Sequence, residues 1–134
     1  MDMKGKALKI DHGVGGGVSF QFGIDTGSGE GRLAIVFSGV KGKSEWRSAP
    51  LKLNVFQVGL LVMGLRGVRS SVYISDGEAY IRLECPREQF RLVYNGRSKG
   101  RDAKAMVNLT DAEMYTLATV LEQWIGVIAV GSID

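Results

Sequence analysis

The sequence LKLNVFQVGLLV at residues 51–62 has the same pattern as VNLTDAEMYTLA at residues 107–118. In each segment two apolar residues alternate, as at the end of a strand, and a helix-capping residue follows, Asn54 in one and Thr110 in the other. A Gln or Glu three residues later can return a hydrogen bond to the backbone of that residue, which completes a capping box. Apolar residues then recur at helical spacing. The repeated strand-to-helix junction predicts one structural unit that is used twice.

Alternating apolar residues and Gly-rich turns predict four strands before each helix. In the first half we expect strands over 6–12, 18–24, 33–37 and 46–53, and then a helix over about 55–65. In the second half we expect strands over 71–75, 79–85, 89–94 and 103–109, and then a helix over about 111–128. Turns are predicted at Asp76-Gly77 and Asn95-Gly96. The sequence therefore predicts an α+β fold of two four-stranded antiparallel sheets, in a single domain 1–134 of two ββββα quasi-repeats at about 4–68 and 69–130.

The composition is that of a globular protein, because 45% of the 134 residues are hydrophobic and 23% are charged. Cys85 is the single cysteine, so no intrachain disulfide can form, which fits a reducing compartment. We find no stretch typical of a signal peptide and no apolar run long enough to cross a bilayer. The expected location is cytoplasmic, as a nucleoid-associated protein or as a mature organellar or phage protein, with no membrane partner.

The charges are distributed unevenly along the chain. Residues 1–104 carry all 17 Lys and Arg and 10 of the 14 acidic side chains, a net charge of +7, whereas the remainder carries only acidic side chains. A basic body favours polyanionic partners such as nucleic acid, although surface charge that serves solubility alone gives the same pattern.

Two helices cannot cover both faces of two sheets, so part of a sheet must face solvent, a partner or a ligand. In the second half, strand alternation places Tyr73, Tyr80, Arg82 and Arg91 on one face. Aromatic and Arg side chains on an open sheet suit the bases and phosphates of single strands. The alternative is an ordinary solvated face.

Catalytic motifs are weak throughout the sequence. His12 is the only histidine and Cys85 the only cysteine, which is too few for a His/Cys zinc site. The sequence shows no Ser-His-Asp triad motif and no Cys-His pair. The Gly-rich segment 13–17 is followed by a strand rather than a helix, and Gly42-Lys43-Ser44 lacks the first glycine of a phosphate-binding loop. We therefore expect a protein that is not an enzyme and that holds no metal and no cofactor.

Several segments in this order resemble the Whirly family of single-stranded-DNA-binding proteins, whose fold group includes positive cofactor four and the kinetoplastid guide-RNA-binding proteins. The matching segments are Lys4-Gly5-Lys6-Ala7-Leu8, Glu45-Trp46, Leu53 with Gln57-Val58-Gly59 and Leu61, residues 107–117, and Trp124-Ile125-Gly126. Leu8 departs from the family pattern, which has Ala there. The resemblance implies two sheets packed roughly orthogonally, helices that hold a homotetramer together, and binding of single strands along sheet edges with little sequence preference.

We therefore expect a single-stranded-DNA-binding protein that forms a homo-oligomer, with a tetramer favoured. The residues expected to neutralise phosphates are Lys4, Lys6, Lys9, Lys43 and Arg47. The rings expected to stack on bases are Phe20, Trp46 and Tyr80, and either role is open to Arg82 and Arg91. The wide apolar face of the second helix predicts a subunit interface through Leu117, Leu121, Trp124 and Ile128.

Two other functions remain open at this stage. One is an RNA-binding or annealing factor of the same fold. The other is a protein-interaction module whose open sheet docks another protein and binds no nucleic acid.

Overall fold

The computed structural model describes residues 6–13, 16–24, 30–41, 44–84, 90–98 and 100–131. The elements of the first half are β1 (Ala7–Asp11), β2 (Gly17–Ile24), β3 (Gly31–Lys41), β4 (Ser44–Arg47), β5 (Leu51–Leu53) and α1 (Val55–Leu65). Those of the second half are β6 (Ser71–Asp76), β7 (Ala79–Glu84), β8 (Phe90–Ser98), β9 (Arg101–Leu109) and α2 (Asp111–Gly131).

The strands form two antiparallel sheets. In the first sheet the order is β1-β2-β3-β4, and β5 pairs with a second stretch of β3. In the second sheet the order is β6-β7-β8-β9. Because each sheet is followed by a helix, the predicted α+β fold class is confirmed.

The predicted fourth strand, residues 46–53, is two strands on different parts of β3. β4 pairs with Ser38–Lys41, and β5 pairs with Leu33–Ile35. Between them the chain leaves the ladder, since the Ala49 N–H donates to the Arg97 carbonyl of the second sheet at 2.8 Å. The hydrogen bond made at this break links the two sheets.

Both predicted capping boxes are present. At the start of α1 the Gln57 N–H donates to Asn54 Oδ1 at 2.9 Å, and the Asn54 N–H donates to Gln57 Oε1 at 3.0 Å. At the start of α2 the Glu113 N–H donates to Thr110 Oγ1 at 3.1 Å, and the Thr110 N–H donates to Glu113 Oε1 at 2.9 Å. Each pair satisfies two backbone donors that a helix start would otherwise leave free.

The turn predicted at Asn95-Gly96 is wrong, because β8 continues through it to Ser98. Gly96 instead allows the Tyr94 ring to lie close to the backbone of β8, because a Cβ atom there would overlap that ring. The Tyr94 hydroxyl accepts a hydrogen bond from the Arg97 N–H at 3.1 Å, and its ring stacks on Phe37 of the first sheet at 5.1 Å between centroids.

Replacing Gly96 by alanine should therefore destabilise the fold by about 1–3 kcal/mol, since the added methyl must displace the buried Tyr94 ring. Urea unfolding followed by circular dichroism measures this loss. Gly59→Ala is the matched control, because no atom lies within 4 Å of the added Cβ in α1 and alanine favours a helix. A Gly96→Ala variant as stable as the wild type would contradict the close packing.

One hydrophobic core joins both sheets and both helices. α1 lies on the second sheet, where a Cβ atom at Gly64 would come within 2.8 Å of side-chain atoms of Val72 and Leu83. α2 lies on the first sheet, where the rings of Phe22 and Trp124 are 5.9 Å apart.

This packing corrects two expectations about exposed apolar residues. Phe20, expected to stack on bases, is 0% exposed, because it shares the inward face of β2 with Val18 and Phe22. The residues of the expected subunit interface are also buried inside the protomer. Its residues Leu117 and Leu121 are 0% exposed and Trp124 is 2% exposed. Ile128 is half-buried and lies against Gly31.

Candidate nucleic-acid interface

A groove opens where the edge of the second sheet meets the β3–β4 hairpin. It has a volume of about 210 Å³. We call it the Trp46 groove, lined by Gly16, Ser38, Gly39, Val40, Trp46, Lys104, Ala105, Met106 and Val107. The β9 residues belong to an edge strand, so one side of the groove is an unpaired strand edge.

Trp46 is held in the groove by a glycine on the neighbouring strand. It faces Gly39 across the β3–β4 pair, and a Cβ atom at Gly39 would lie 2.6 Å from the indole Nε1. The indole therefore packs closely over Gly39 and is half-buried, at the margin of the hydrophobic core. The other tryptophan, Trp124, is in the core. Trp46 is thus the tryptophan that can offer a ring face to a ligand.

The rest of the groove combines apolar surface with a cation. Val40 and Met106 are each 49% exposed and give the groove an apolar surface. Lys104 is exposed beside them. Apolar surface, an aromatic ring and a cation in one groove can stack a base and neutralise a phosphate.

A second depression lies on the outer face of the first sheet. It has a volume of about 460 Å³ and shares Trp46 and Gly39 with the groove. We call it the trough; strand alternation places on its face the side chains of Lys9, Asp11, Ser19, Ser38, Glu45 and Arg47.

The cations of the groove and the trough differ from Arg82 and Arg91 in their ion-pair partners. Arg82 and Arg91 both pair with Glu84, at 3.0 Å and 3.4 Å. By contrast, Lys9, Arg47 and Lys104 form no ion pair with any residue that the structure describes.

The outer face of the second sheet carries an aromatic pair. The rings of Tyr73 and Tyr80 are 4.9 Å apart, and Asn95 Nδ2 donates to the Tyr80 hydroxyl at 3.2 Å. Tyr73 is 59% exposed, whereas Tyr80 is half-buried. Asn95 pairs in turn with Lys104, so this face is continuous with the Trp46 groove.

Apart from Phe20, which lies in the core, the predicted binding residues fall into four groups. Lys4 and Lys43 lie outside the described residues. Lys6, just before β1, is exposed. The groove or the trough contains Lys9, Trp46 and Arg47. The outer face of the second sheet contains Tyr80, Arg82 and Arg91, and their binding roles stay predictions.

Sequence reasoning missed Lys104 and Met106. The signal was present, because Val107 and Leu109 point inward and alternation then places Lys104, Met106 and Asn108 outward. The alternation could not show that this strand edge lies close to Trp46, because that depends on how the two sheets pack.

His12 ties the end of β1 to the start of α2. Its Nε2 lies 2.8 Å from Glu113 Oε2. Partial burial raises the pKa of Glu113, but the hydrogen bonds from Thr110 and the contact with His12 outweigh this effect, so its pKa lies below the ordinary 4.5. His12 therefore makes a structural contact at the start of α2.

A carboxylate whose pKa is lowered by folding stabilises the fold above its unfolded-state pKa and loses that contribution as the pH falls through the folded-state pKa. Glu113→Gln keeps an acceptor for the capping box, as Gln57 does in α1, but cannot ionise. We expect the wild type to be more stable than this variant above pH 4.5, and the difference to shrink at lower pH. Urea unfolding from about pH 3 to about pH 7 measures it; a difference independent of pH would contradict the lowered pKa of Glu113.

The described residues contain no group of three or more His, Cys, Asp or Glu side chains placed to hold a metal ion. Within the same residues, no helix has both the length and the apolar character needed to cross a membrane.

Comparison with known proteins gives matches in structure alone. No family model and no curated protein sequence matches the chain. The structure of WHY1, a Whirly protein from Arabidopsis thaliana, matches with a TM-score of 0.68 and 16% identity, over 91% of this chain and 84% of WHY1. The structure of MRP1/MRP2 from Trypanosoma brucei matches with a TM-score of 0.65 and 14% identity, over 96% and 88%. A guide-RNA-binding protein complex bound to a guide RNA matches with a TM-score of 0.66 and 13% identity, over 90% of both chains. The predicted Whirly-like fold is thereby confirmed.

Proposed function

We propose that this chain binds single-stranded nucleic acid in the Trp46 groove, with DNA as the first candidate and little overall sequence preference. The observation that carries the proposal is the half-buried indole of Trp46, which lines one groove with the exposed cation of Lys104 and the exposed apolar surface of Met106. A ring that stacks on a base and a cation that meets a phosphate are the two elements of sequence-tolerant single-strand binding.

Duplex binding fits the surface less well. A protein that reads the major groove usually inserts a helix, with cations that meet the backbone. α2 contains no Lys or Arg and begins with Asp111 and Glu113, and α1 contains no charged residue. Stacking on Trp46 also needs a base whose face is free, which a duplex does not offer.

The structural neighbours support nucleic acid as the partner. One of them is described as a guide-RNA-binding complex bound to its guide RNA, which makes RNA the second candidate. The groove lining does not favour either sugar, so a direct competition must decide between them.

Fluorescence anisotropy with a labelled oligothymidylate of about 16 nucleotides tests the proposal. We expect saturable binding that is tighter than to a duplex of equal length. The affinity should fall with salt, with a log–log slope of about −0.7 for each phosphate neutralised. A matched oligouridylate distinguishes DNA from RNA. An affinity that does not change with salt concentration, or tighter binding to the duplex, would refute the proposal.

Lys104 and Arg82 offer a matched pair of cations for the salt dependence. Lys104 has no ion pair among the described residues, whereas Arg82 is held by Glu84 at 3.0 Å. We expect Lys104→Ala to reduce the magnitude of the salt slope by about 0.7, and Arg82→Ala to change it less. Salt titration of the two variants measures this, and equal losses would refute the distinction between free and paired cations.

We also propose that the chain assembles into a homo-oligomer, with a tetramer favoured. Since the apolar face of α2 is buried inside the protomer, the contact must use other surfaces, and exposed apolar side chains occur on α1 at Phe56 and Met63. Light scattering measures the particle mass, and a strictly monomeric protein at all concentrations would contradict assembly.

A further inference from the structure

Among the residues that the structure describes, the trough carries a balanced set of charges. The cations Lys9 and Arg47 line it together with the carboxylates of Asp11 and Glu45. Asp11 Oδ1 accepts a hydrogen bond from the Gly13 N–H at 2.8 Å, which occupies one of its oxygens. Two positive and two negative groups give a phosphate no net attraction. The same groups suit a neutral ligand that has both hydrogen-bond donors and acceptors.

Glu45 and Arg47 lie two residues apart on one face of β4, yet no ion pair joins them. On β7 the same spacing does form a pair, because Arg82 Nε lies 3.0 Å from Glu84 Oε2. The contrast leaves an acceptor and a donor side by side in the trough, each available to a ligand.

Ser19 provides an independent sign of a missing partner. Its side chain is nine-tenths buried, and its Oγ has no hydrogen-bond partner among the residues that the structure describes. It lies opposite Lys9 in the β1–β2 register. A buried hydroxyl without a partner is unfavourable, and a polar ligand in the trough would satisfy it.

Gly17 lines the trough without a side chain. A Cβ atom at Gly17 would lie 2.8 Å from the Ile10 carbonyl oxygen, so no larger residue fits there without movement. The volume of about 460 Å³ lies within the range of small-molecule sites.

We propose that the trough binds the edge of a single nucleobase and that it favours guanine, an inference that rests on the proposed single-strand function. Guanine presents two neighbouring N–H donors, at N1 and N2, which match the carboxylate of Glu45. It also presents two neighbouring acceptors, O6 and N7, which match Arg47 or Lys9. Adenine, cytosine and thymine each lack the pair of neighbouring donors. The protein then binds single strands generally through the Trp46 groove and discriminates at one position through the trough.

The test compares an oligothymidylate with the same oligonucleotide carrying one central dG or one central dA, by anisotropy at a fixed salt concentration. We expect the single dG to tighten binding roughly tenfold and the single dA to have no comparable effect. Equal affinities for the three oligonucleotides would overturn the guanine site while leaving the single-strand function intact. Absence of binding to all three would refute the single-strand function itself, on which the site depends.

Substitutions show which residue causes the preference for guanine. Glu45→Gln should bring the ratio of dG to dT affinities close to one, whereas Glu78→Gln, in the turn between β6 and β7, should keep it. A ratio that survives Glu45→Gln would overturn the assignment. Competition adds a second readout: guanosine monophosphate should displace the dG oligonucleotide at lower concentration than adenosine monophosphate or inorganic phosphate. Equal displacement by inorganic phosphate would identify a phosphate site and overturn the proposal.

Discussion

Replacing Trp46 by alanine weakens binding of single-stranded DNA by roughly tenfold to a hundredfold, the largest effect expected of any surface substitution. The indole packs over Gly39 and is half-buried in a groove with Lys104 and Met106. Stacking of one base on such a ring contributes about 1–3 kcal/mol. Anisotropy titration of the variant with oligothymidylate measures the loss.

Two further variants separate stacking from a general loss of structure. Trp46→Phe keeps an aromatic face and should lose less affinity than Trp46→Ala. Tyr115→Ala removes a ring that is 67% exposed on α2, away from the groove, and should bind as the wild type does. If Trp46→Ala retained its circular dichroism spectrum and bound with wild-type affinity, the groove would not be the binding site.

Replacing Trp124 by alanine destabilises the fold by about 3–5 kcal/mol, the largest stability effect that we expect. The side chain is 2% exposed and its ring lies 5.9 Å from Phe22, so truncation leaves a cavity between α2 and the first sheet. Urea unfolding followed by circular dichroism measures the loss. Val127→Ala, at a site that is 39% exposed on the same helix, should change stability by no more than about 0.5 kcal/mol.

The same experiment distinguishes a core residue from an interface residue. For a core residue, the stability difference between Trp124→Ala and the wild type is the same at low and high protein concentration. Trp124→Phe should show a smaller loss of stability that is likewise independent of protein concentration. This variant serves as the test if the alanine variant does not fold. A Trp124 variant with the wild-type unfolding midpoint but a smaller particle mass would restore the interface interpretation.

The helix starts were predictable from the sequence because their hydrogen bonds are local. Asn54 and Gln57 are three residues apart, and so are Thr110 and Glu113, so spacing alone indicates both capping boxes. The break between β4 and β5 was not predictable, because it depends on the hydrogen bond from Ala49 to the second sheet. The turn expected at Asn95-Gly96 failed for a similar reason, since the Tyr94 ring uses the space at Gly96.

The candidate site was predictable in part. Trp46, Lys9 and Arg47 were identified from residue type, and the structure places all three at the groove or the trough. Phe20 was misassigned although its own alternation with Val18 and Phe22 places it inward. The pairing of Arg82 with Glu84 depends on rotamers and register that a sequence does not give.

The apolar face of α2 shows why a wide hydrophobic stripe alone does not identify an interface. Its width suggested more apolar surface than one small sheet could cover. The helix instead packs on the first sheet and on α1, and Leu117, Leu121 and Trp124 fill the core of the protomer. An exposed fraction, which only a structure provides, separates the two cases.

Photo-crosslinking is the most direct test of the claim that the Trp46 groove binds single strands. An oligothymidylate carrying bromodeoxyuridine is irradiated in complex with the protein, and mass spectrometry identifies the modified residue. Stacking in the groove predicts an adduct on Trp46, which excess unlabelled single strand suppresses and duplex does not. Adducts confined to Tyr73 and Tyr80 on the outer face of the second sheet, with none on Trp46, would contradict it.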